Sequence, residues 1–408
     1  MLPSAIDTKR VEKSALLYSR GILFDIFPYF AHNIKDKFTY SIDISIILYY
    51  NLREINGGKE MRSFNYSAFK EQKWDSDILG LIAAIYKEAG KQEQYLKQRP
   101  QEMEKLVEIA KIQSTEASNA IEGIVTTSTR IKQLVGEKTT PRNRDEQEIA
   151  GYRDALNVIH ESFDAIPITQ NYILQLHKML YSHMINPLAG RTKSVQNYIS
   201  AAYPDGHTEI LFTPLEPNET SEALDRICEE YNRVIGNLEV EPLIIIPIFI
   251  HDFLCIHPFN YGNGRMSRLL TTLLLYQNGF YIGKYISLEA KISKDKDLYY
   301  SALSQSQTGW HEGKEDALPF IKYILGTILA SYKDFEERTS LVQEKLPALE
   351  MVRMASKSKI GRFNKQDIRE LCPTLSDSSI EGALRKLVAA GELKKEGKGK
   401  STCYFRLN

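Results

Sequence analysis

The chain has 408 residues, which is enough for two or three domains with separate cores. Its 52 Lys and Arg balance 52 Asp and Glu, and 43% of its residues are hydrophobic, so it is a globular chain whose overall charge excludes a general attraction to nucleic acid or membrane. The four cysteines are isolated along the sequence, which argues against a disulfide or zinc framework and favours a reducing, cytoplasmic location.

The first half of the chain is predicted to be largely helical. Residues 1–60 carry no pattern that indicates a function, and their start lacks a signal peptide. From Trp74, apolar residues at spacings of three and four predict a helix, and a long helix follows over about 100–121 with Gly123 as its C-terminal stop. Two more helices are predicted between residues 145 and 185.

The sequence pattern then predicts a hairpin, after which helices are predicted again. Lys193–Phe212 contains β-forming residues around a Pro-Asp-Gly-His turn, which predicts a hairpin. Helices resume at Glu219 and continue to about Lys345. Leu243–Ile256 is apolar almost throughout, and Pro247 argues against a central strand, so a buried helix is predicted there. This run is shorter than the ~20 residues that span a bilayer, and no membrane partner is expected.

The C-terminal segment differs in charge and in rhythm. Met351–Asn408 contains 13 Lys and Arg against 6 Asp and Glu, a net +7 that leaves −7 for the remainder. Three short helices and two strands form the outline of a winged helix-turn-helix, with SDSSIEGALRKL as a reading helix. Its wing lysines, Lys394, Lys395, Lys398 and Lys400, suit DNA phosphates. Winged helices also bind proteins, so DNA and protein both remain open as partners.

The stretch HPFNYGNGRMSR concentrates unusual chemistry directly behind the apolar run. Gly262 and Gly264 flank an asparagine and allow successive backbone N–H groups to point into one hollow at the start of a helix, where phosphate binds. Arg265 and Arg268, three residues apart, add guanidinium groups that suit a polyphosphate. The sequence therefore predicts a phosphate-binding site that suits a polyphosphate.

His257 is the side chain near this hollow that titrates close to neutral pH, which makes it the natural general base. The whole stretch resembles the motif of the Fic family, HPFx(D/E)GNGRxxR, at eight specified positions: His257, Pro258, Phe259, Gly262, Asn263, Gly264, Arg265 and Arg268. The resemblance implies a helical Fic core that transfers AMP from ATP to a Tyr, Thr or Ser hydroxyl of a target protein.

The resemblance also implies a role for each motif residue. His257 would deprotonate the acceptor hydroxyl, a step typically worth ~10²–10⁴ in rate. Asn263 and the N–H groups of Gly262 and Gly264 would hold the α-phosphate. The two motif arginines would hold the β- and γ-phosphates.

One position departs from the family motif. The acidic residue that binds Mg²⁺ beside the phosphates is replaced by Tyr261, and a neutral phenol is a poor ligand for a cation that prefers carboxylate oxygens. Three interpretations stay open: Mg²⁺ is held by ATP and water alone, the activity is weak, or the site has another use. No protein ligand for a metal is assigned.

A second match lies upstream, in the sequence SNAIEG that begins at Ser118. Regulated members of the family carry an inhibitory helix with the pattern (S/T)xxxE(G/N), and Ser118 and Glu122 lie one helical turn apart. By resemblance, Glu122 would pair with Arg268 and occupy the place of the γ-phosphate. The inhibitory helix is expected at about residues 100–123.

Two further segments take their expected roles from the resemblance alone. The hairpin at about 193–213 occupies the position of the family's flap, where a target segment would pair by β-addition. Tyr299 and Tyr300 lie in a segment similar to the one that flanks the adenine in the family.

These patterns predict a mainly α protein with an N-terminal helical region at 1–95, a Fic core at 96–340 and a winged-helix domain at 345–408. The leading hypothesis is an autoinhibited protein adenylyltransferase, whose helical surface is compatible with a homodimer. Two alternatives remain open. One is a hydrolase that removes AMP at the same site, and the other is a DNA-binding regulator with a weak or inactive nucleotide-sensing domain.

Overall fold

The structure is a computed structural model that describes residues 62–98, 100–202, 207–343, 347–359, 361–372, 374–397 and 399–406. The chain divides into two units, residues 1–61 and 62–408, and the described residues all belong to the second. Most of the predicted N-terminal helical region, the turn of the hairpin and Lys398 therefore lie outside the described residues.

The described part of the chain is mainly helical, as predicted. Its α-helices are α1 (Ser76–Gln98), α2 (Pro100–Ile121), α3 (Ser128–Val135), α4 (Arg144–Ser162), α5 (Gln170–Leu180), α6 (Pro217–Gly236), α7 (Pro242–Ile256), α8 (Asn263–Gln277), α9 (Leu288–Lys294), α10 (Lys296–Gln307), α11 (Leu318–Gln343), α12 (Ala348–Lys357), α13 (Lys365–Leu371) and α14 (Asp377–Ala389). In the described residues, no helix is long and apolar enough to cross a membrane.

Helix α7 forms the centre of the core. Its residues from Leu243 to Ile256 are all buried, and it packs against α6, α8 and α11. Pro242 occupies the first turn, where its missing N–H costs no hydrogen bond, and Glu241 caps the N–H of Leu243. The predicted buried helix is therefore confirmed, with Pro247 accommodated inside it.

Helix α2 ends where the sequence predicts. Gly123 adopts a left-handed conformation with φ of 79°, which a glycine reaches without steric cost. The N–H of Gly123 bonds to Ala120 O and that of Ile124 to Asn119 O, so the last carbonyls of the helix are satisfied. Helix α2 packs along α4 and α9 and contacts α8, and the site lies at this contact.

The predicted hairpin is present but shorter than expected. Strands β1 (Ile199–Ala202) and β2 (Thr208–Phe212) pair antiparallel, with Ser200 opposite Ile210. The predicted hairpin begins at Lys193, whereas β1 begins only at Ile199, because Lys193 and Asn197 bond to the backbone at the end of α7 and in the loop after it.

The C-terminal segment follows the predicted order of elements. Helices α12, α13 and α14 precede strands β3 (Leu393–Glu396) and β4 (Cys403–Arg406), and Phe363 adds a bridge to Tyr404. These elements share a small apolar core of their own, which includes Val352, Ile368, Leu384 and Tyr404. Whether this segment binds DNA or protein stays a prediction.

Candidate functional site

The loop between α7 and α8 carries the motif and is closed by its own side chains. His257 caps α7 in a left-handed conformation with φ of 51°, and Gly262 enters α8 with φ of 84°. The buried amide of Asn263 accepts from the N–H of Phe259 at 2.9 Å and donates to its carbonyl at 2.6 Å. Asn263 thus shapes the loop with its side chain, and its role toward a phosphate remains a prediction.

The geometry of His257 leaves one ring nitrogen available as a base. Nδ1 lies 3.2 Å from Leu254 O, and since a carbonyl only accepts, Nδ1 carries the proton and Nε2 the lone pair. Burial lowers the pKa of His257 to about 4, with Leu254 O raising it and the charge of Lys193 lowering it. The imidazole is therefore neutral at pH 7, as a general base must be.

His177 of α5 fixes this loop from the other side. Its ring stacks on Phe259 with centroids 3.7 Å apart, and its Nε2 donates to Tyr261 O at 3.0 Å. Its Nδ1 accepts from the N–H of Gly190 at 2.9 Å. His177 is a residue that sequence reasoning missed, because its contacts with the motif loop join residues more than 80 positions apart.

The first turn of α8 presents backbone donors beside an acidic side chain. The first N–H groups of a helix have no acceptor within it, so this turn forms an anion-binding end. A side chain at Gly264 would collide with the carboxylate of Glu122, which lies directly against this backbone. The glycine therefore leaves a space that Glu122 fills.

Arg268 is held almost entirely by the end of α2. Its Nε donates to Ser118 Oγ at 2.8 Å, and its Nη2 donates to Ser118 O at 2.9 Å and to Glu122 Oε1 at 2.8 Å. Burial opposes the charge of the guanidinium, but Glu122 raises the pKa of Arg268 above its usual value. The structure thus forms the ion pair that the resemblance implies.

Arg265 points into a different buried network. Its Nη2 donates to Glu148 Oε2 at 2.7 Å and to Tyr181 Oη at 3.0 Å, and its Nη1 lies 3.4 Å from Asn119 Oδ1. Its Nε has no hydrogen-bond partner. Arg265 therefore anchors α8 to α4 and α5, while its expected contact with a phosphate stays a prediction.

The tyrosine pair of α10 lies beside the ion pair. Tyr299 is buried, Tyr300 is 43% exposed, and their ring centroids lie 5.3 Å apart. Lys296 donates to Ile121 O at 3.0 Å, which ties α10 to the end of α2. Burial raises the pKa of Tyr299 and of Tyr300, so both phenols are neutral at pH 7.

The side chain of Tyr261 points outward and is 63% exposed, at the rim of an open surface cavity lined also by Arg144 and His183. In the described part of the chain, no cluster of three or more His, Cys, Asp or Glu could hold a metal ion. The carboxylates that contact the motif arginines, Glu122 and Glu148, are both engaged in ion pairs. These residues do not fit a protein-held Mg²⁺.

The segment before the hairpin contributes two further residues that sequence reasoning missed. The buried Lys193 donates through Nζ to Ile256 O at 3.1 Å, and its own N–H donates to Pro258 O at 2.8 Å. Asn197 donates to Phe259 O at 3.0 Å. No local motif marks these contacts, since they join residues about 60 positions apart.

Buried histidines predict a loss of stability in acid. Burial lowers the pKa to about 3 for His160 and to about 4 for His177 and His251. The pKa of a histidine in the unfolded chain is about 6.5. Below that pH the unfolded chain therefore binds more protons than the folded chain. The stability that these neutral histidines provide is complete above pH 6.5 and is lost as the pH falls toward 4. Each such group gives a slope of ~1.4 kcal/mol per pH unit. Urea unfolding between pH 7 and 4 measures how the free energy of unfolding depends on pH. If His160→Gln showed the same slope as the wild type, His160 would not contribute to this loss of stability.

Three comparisons place this site among known proteins. Residues 167–275 match the Fic/DOC family. Protein adenylyltransferase fic-1 of Caenorhabditis elegans is 26% identical over 186 residues, which are 44% of this chain and 32% of that protein. Protein adenylyltransferase Fic of Nematostella vectensis is 26% identical over 234 residues, 54% of this chain and 48% of that protein. The chain thus spans about a third to a half of the length of these relatives.

Solved structures share the fold at low sequence identity. A Fic family protein from Desulfovibrio desulfuricans G20 aligns with a TM-score of 0.53 at 20% identity, covering 83% of this chain and 98% of that one. A Fic domain containing signaling protein from Bacteroides thetaiotaomicron aligns with a TM-score of 0.51 at 22% identity, covering 64% of this chain and 95% of that one. The arrangement of helices around the motif loop is that of Fic structures.

Proposed function

We propose, from the match of residues 167–275 to the Fic/DOC family, that this chain is a protein adenylyltransferase that transfers AMP from ATP to a hydroxyl of a target protein. One observation carries the proposal: a neutral His257, its Nε2 unprotonated, stands on the loop that leads into the N-terminus of α8. A base beside an anion-binding helix end suits attack of a hydroxyl on a phosphate.

The proposed step uses each part of the loop. The target oxygen attacks the α-phosphorus, its proton passes to Nε2 of His257, and the bond to the bridging oxygen of the β-phosphate breaks as pyrophosphate leaves. The free N–H groups at the start of α8 stabilise the charge that develops on the α-phosphate. Arg268, once released by Glu122, supplies a guanidinium to the phosphates of the leaving group.

The contact of Glu122 with Arg268 supports autoinhibition. The carboxylate lies against Gly264 and pairs with the guanidinium, so it fills space and neutralises charge where a nucleotide phosphate would bind. The proposed resting enzyme therefore binds ATP poorly or in an unproductive pose. A hydrolase that uses Glu122 to position water remains an alternative for the same pocket, as does a regulator with an inactive Fic domain.

Labelled ATP tests the proposed activity. Protein-bound label from α-³²P-ATP, never matched by γ-³²P-ATP, would identify AMP transfer, since phosphorylation would give the reverse. Equal retention of both labels would indicate bound nucleotide instead of a covalent product. Label released from previously modified protein would favour the hydrolase.

Because Tyr261 replaces the acidic residue of the motif, we expect the protein to bind Mg²⁺ weakly. One substitution should strengthen this binding. Tyr261→Asp adds a carboxylate at the motif position, and we expect the Mg²⁺ concentration for half-maximal transfer to fall about tenfold, equivalent to ~1.4 kcal/mol of added binding. The measurement is a Mg²⁺ titration in a Glu122→Gly background. Tyr261→Phe removes only the hydroxyl, and an equal fall for Tyr261→Phe would show that the carboxylate is not the cause.

A further inference from the structure

Lys193 is a buried lysine that contacts the backbone on both sides of His257. Only 3% of it is exposed. Its Nζ donates to Ile256 O, the carbonyl that precedes His257, and its main-chain N–H donates to Pro258 O, the carbonyl of the residue that follows His257. The same Nζ also donates to Asn197 Oδ1 at 2.9 Å.

Asn197 extends this clamp by one residue. Its amide donates to Phe259 O at 3.0 Å, so three carbonyls of the loop are held by residues 193–197. Neither residue belongs to the motif. Both sit immediately before β1, so the hairpin and the base are fixed to one another by this short segment.

The clamp acts where the backbone is strained. A residue with a side chain adopts the left-handed region at an energetic cost relative to an ordinary conformation. His257 adopts φ of 51° and ψ of 62°, so its conformation needs support from its surroundings. The bonds to the flanking carbonyls provide this support, and without them the loop could relax and turn the imidazole.

We propose that Lys193 is a positioning residue, which holds His257 in its left-handed conformation and thereby aims Nε2 at the acceptor hydroxyl. This role rests on the proposed transferase activity, although the clamp itself does not. Lys193 touches the loop only through backbone carbonyls, so it acts on the reaction through His257.

The pKa of His257 depends on the charges around it, so a change in the clamp can be measured without any enzymatic assay. Among the described residues, the charge of Lys193 lowers the pKa of His257 and that of Glu122 raises it, while the charge of Glu216 raises the pKa of Lys193. Burial lowers the pKa of Lys193 to about 8, so the ammonium is largely retained at pH 7. Its charge lowers the pKa of His257, and its loss together with a looser, wetter loop raises that pKa toward 6.5.

The first test is a pH titration of the histidine Cε1 signals by NMR in the full chain, labelled with ¹³C at histidine and assigned with His257→Asn. We expect Lys193→Met to raise the pKa of His257 by at least one pH unit and Lys193→Arg to keep it near the wild-type value. Lys178→Met, which removes an exposed lysine of α5, should leave it unchanged. Asn197→Ala, a milder change, should shift it in the same direction and keeps the test usable if Lys193→Met does not fold.

The second test measures kinetics in a Glu122→Gly background. Lys193→Met should lower kcat by about 10- to 100-fold, as loss of a supporting residue typically does, with KM for ATP within about twofold. Rescue by Lys193→Arg is expected. An unchanged pKa of His257 in both Lys193→Met and Asn197→Ala would overturn the positioning role. A shifted pKa with no AMP transfer by any variant would leave the clamp in place and overturn the proposed function.

Discussion

Replacing Glu122 by glycine is expected to raise the rate of AMP transfer on the order of 10- to 100-fold, within the ~1–3 kcal/mol typical of coupled sites. The reason is steric and electrostatic together. The Glu122 carboxylate lies against the backbone of Gly264 and pairs with Arg268 at 2.8 Å. Its removal frees both the space and the guanidinium for a phosphate.

Incorporation of label from α-³²P-ATP at several ATP concentrations measures this effect. Glu122→Gln keeps the volume and loses the charge, so it separates the two contributions and should activate less than glycine. Glu108→Gly is the matched control, because it weakens the same helix at an exposed position far from Arg268. Equal activation by Glu108→Gly would mean that a loosened α2, and not the lost carboxylate, releases the enzyme.

Replacing His257 by alanine in the Glu122→Gly background is expected to lower AMP transfer by ~10²–10⁴, the usual contribution of a general base. The imidazole is neutral at pH 7 and its Nε2 is unprotonated, so in the proposed step it accepts the hydroxyl proton directly. ATP affinity should change little, because the phosphates are expected to contact α8 and Arg268.

Single-turnover labelling gives the rate, and equilibrium binding of a fluorescent ATP analogue gives the affinity. His183→Ala is the matched control, since His183 pairs with Asp154 at 2.6 Å outside the motif loop. Full activity of His257→Ala would remove His257 from the mechanism. A parallel loss of ATP binding would instead assign it to binding.

The helices and the ion pair could be predicted because their signals are local. Apolar spacing and Gly123 delimit α2, and the similarity of SNAIEG to the inhibitory pattern of the Fic family implies that Glu122 pairs with Arg268. The unbroken apolar character of α7 also predicts its central position, since no face of it could remain in water.

The supporting residues could not be predicted, because their contacts depend on which distant segments meet. In the sequence, nothing distinguishes Lys193 from an exposed surface lysine. Only its burial against the motif loop in the structure does so. Asn263 matches the motif, yet nothing in the motif indicates that its amide bonds to Phe259 in both directions. Arg265 likewise owes its orientation to Glu148 on α4 and to Tyr181, the residue directly after α5.

The left-handed end of α2 holds Glu122 next to Arg268, and this sets the strength of the proposed inhibition. A free carboxylate binds an arginine weakly in water, but Glu122 is tethered within contact distance and so competes at a high effective concentration. That concentration depends on how rigidly the last turn before Gly123 is held, for instance by the bond from Lys296 to Ile121 O. A partner that frays this single turn would lower the effective concentration of the Glu122 carboxylate near Arg268. The proposed nucleotide would then bind with higher apparent affinity, although its own contacts would be unchanged.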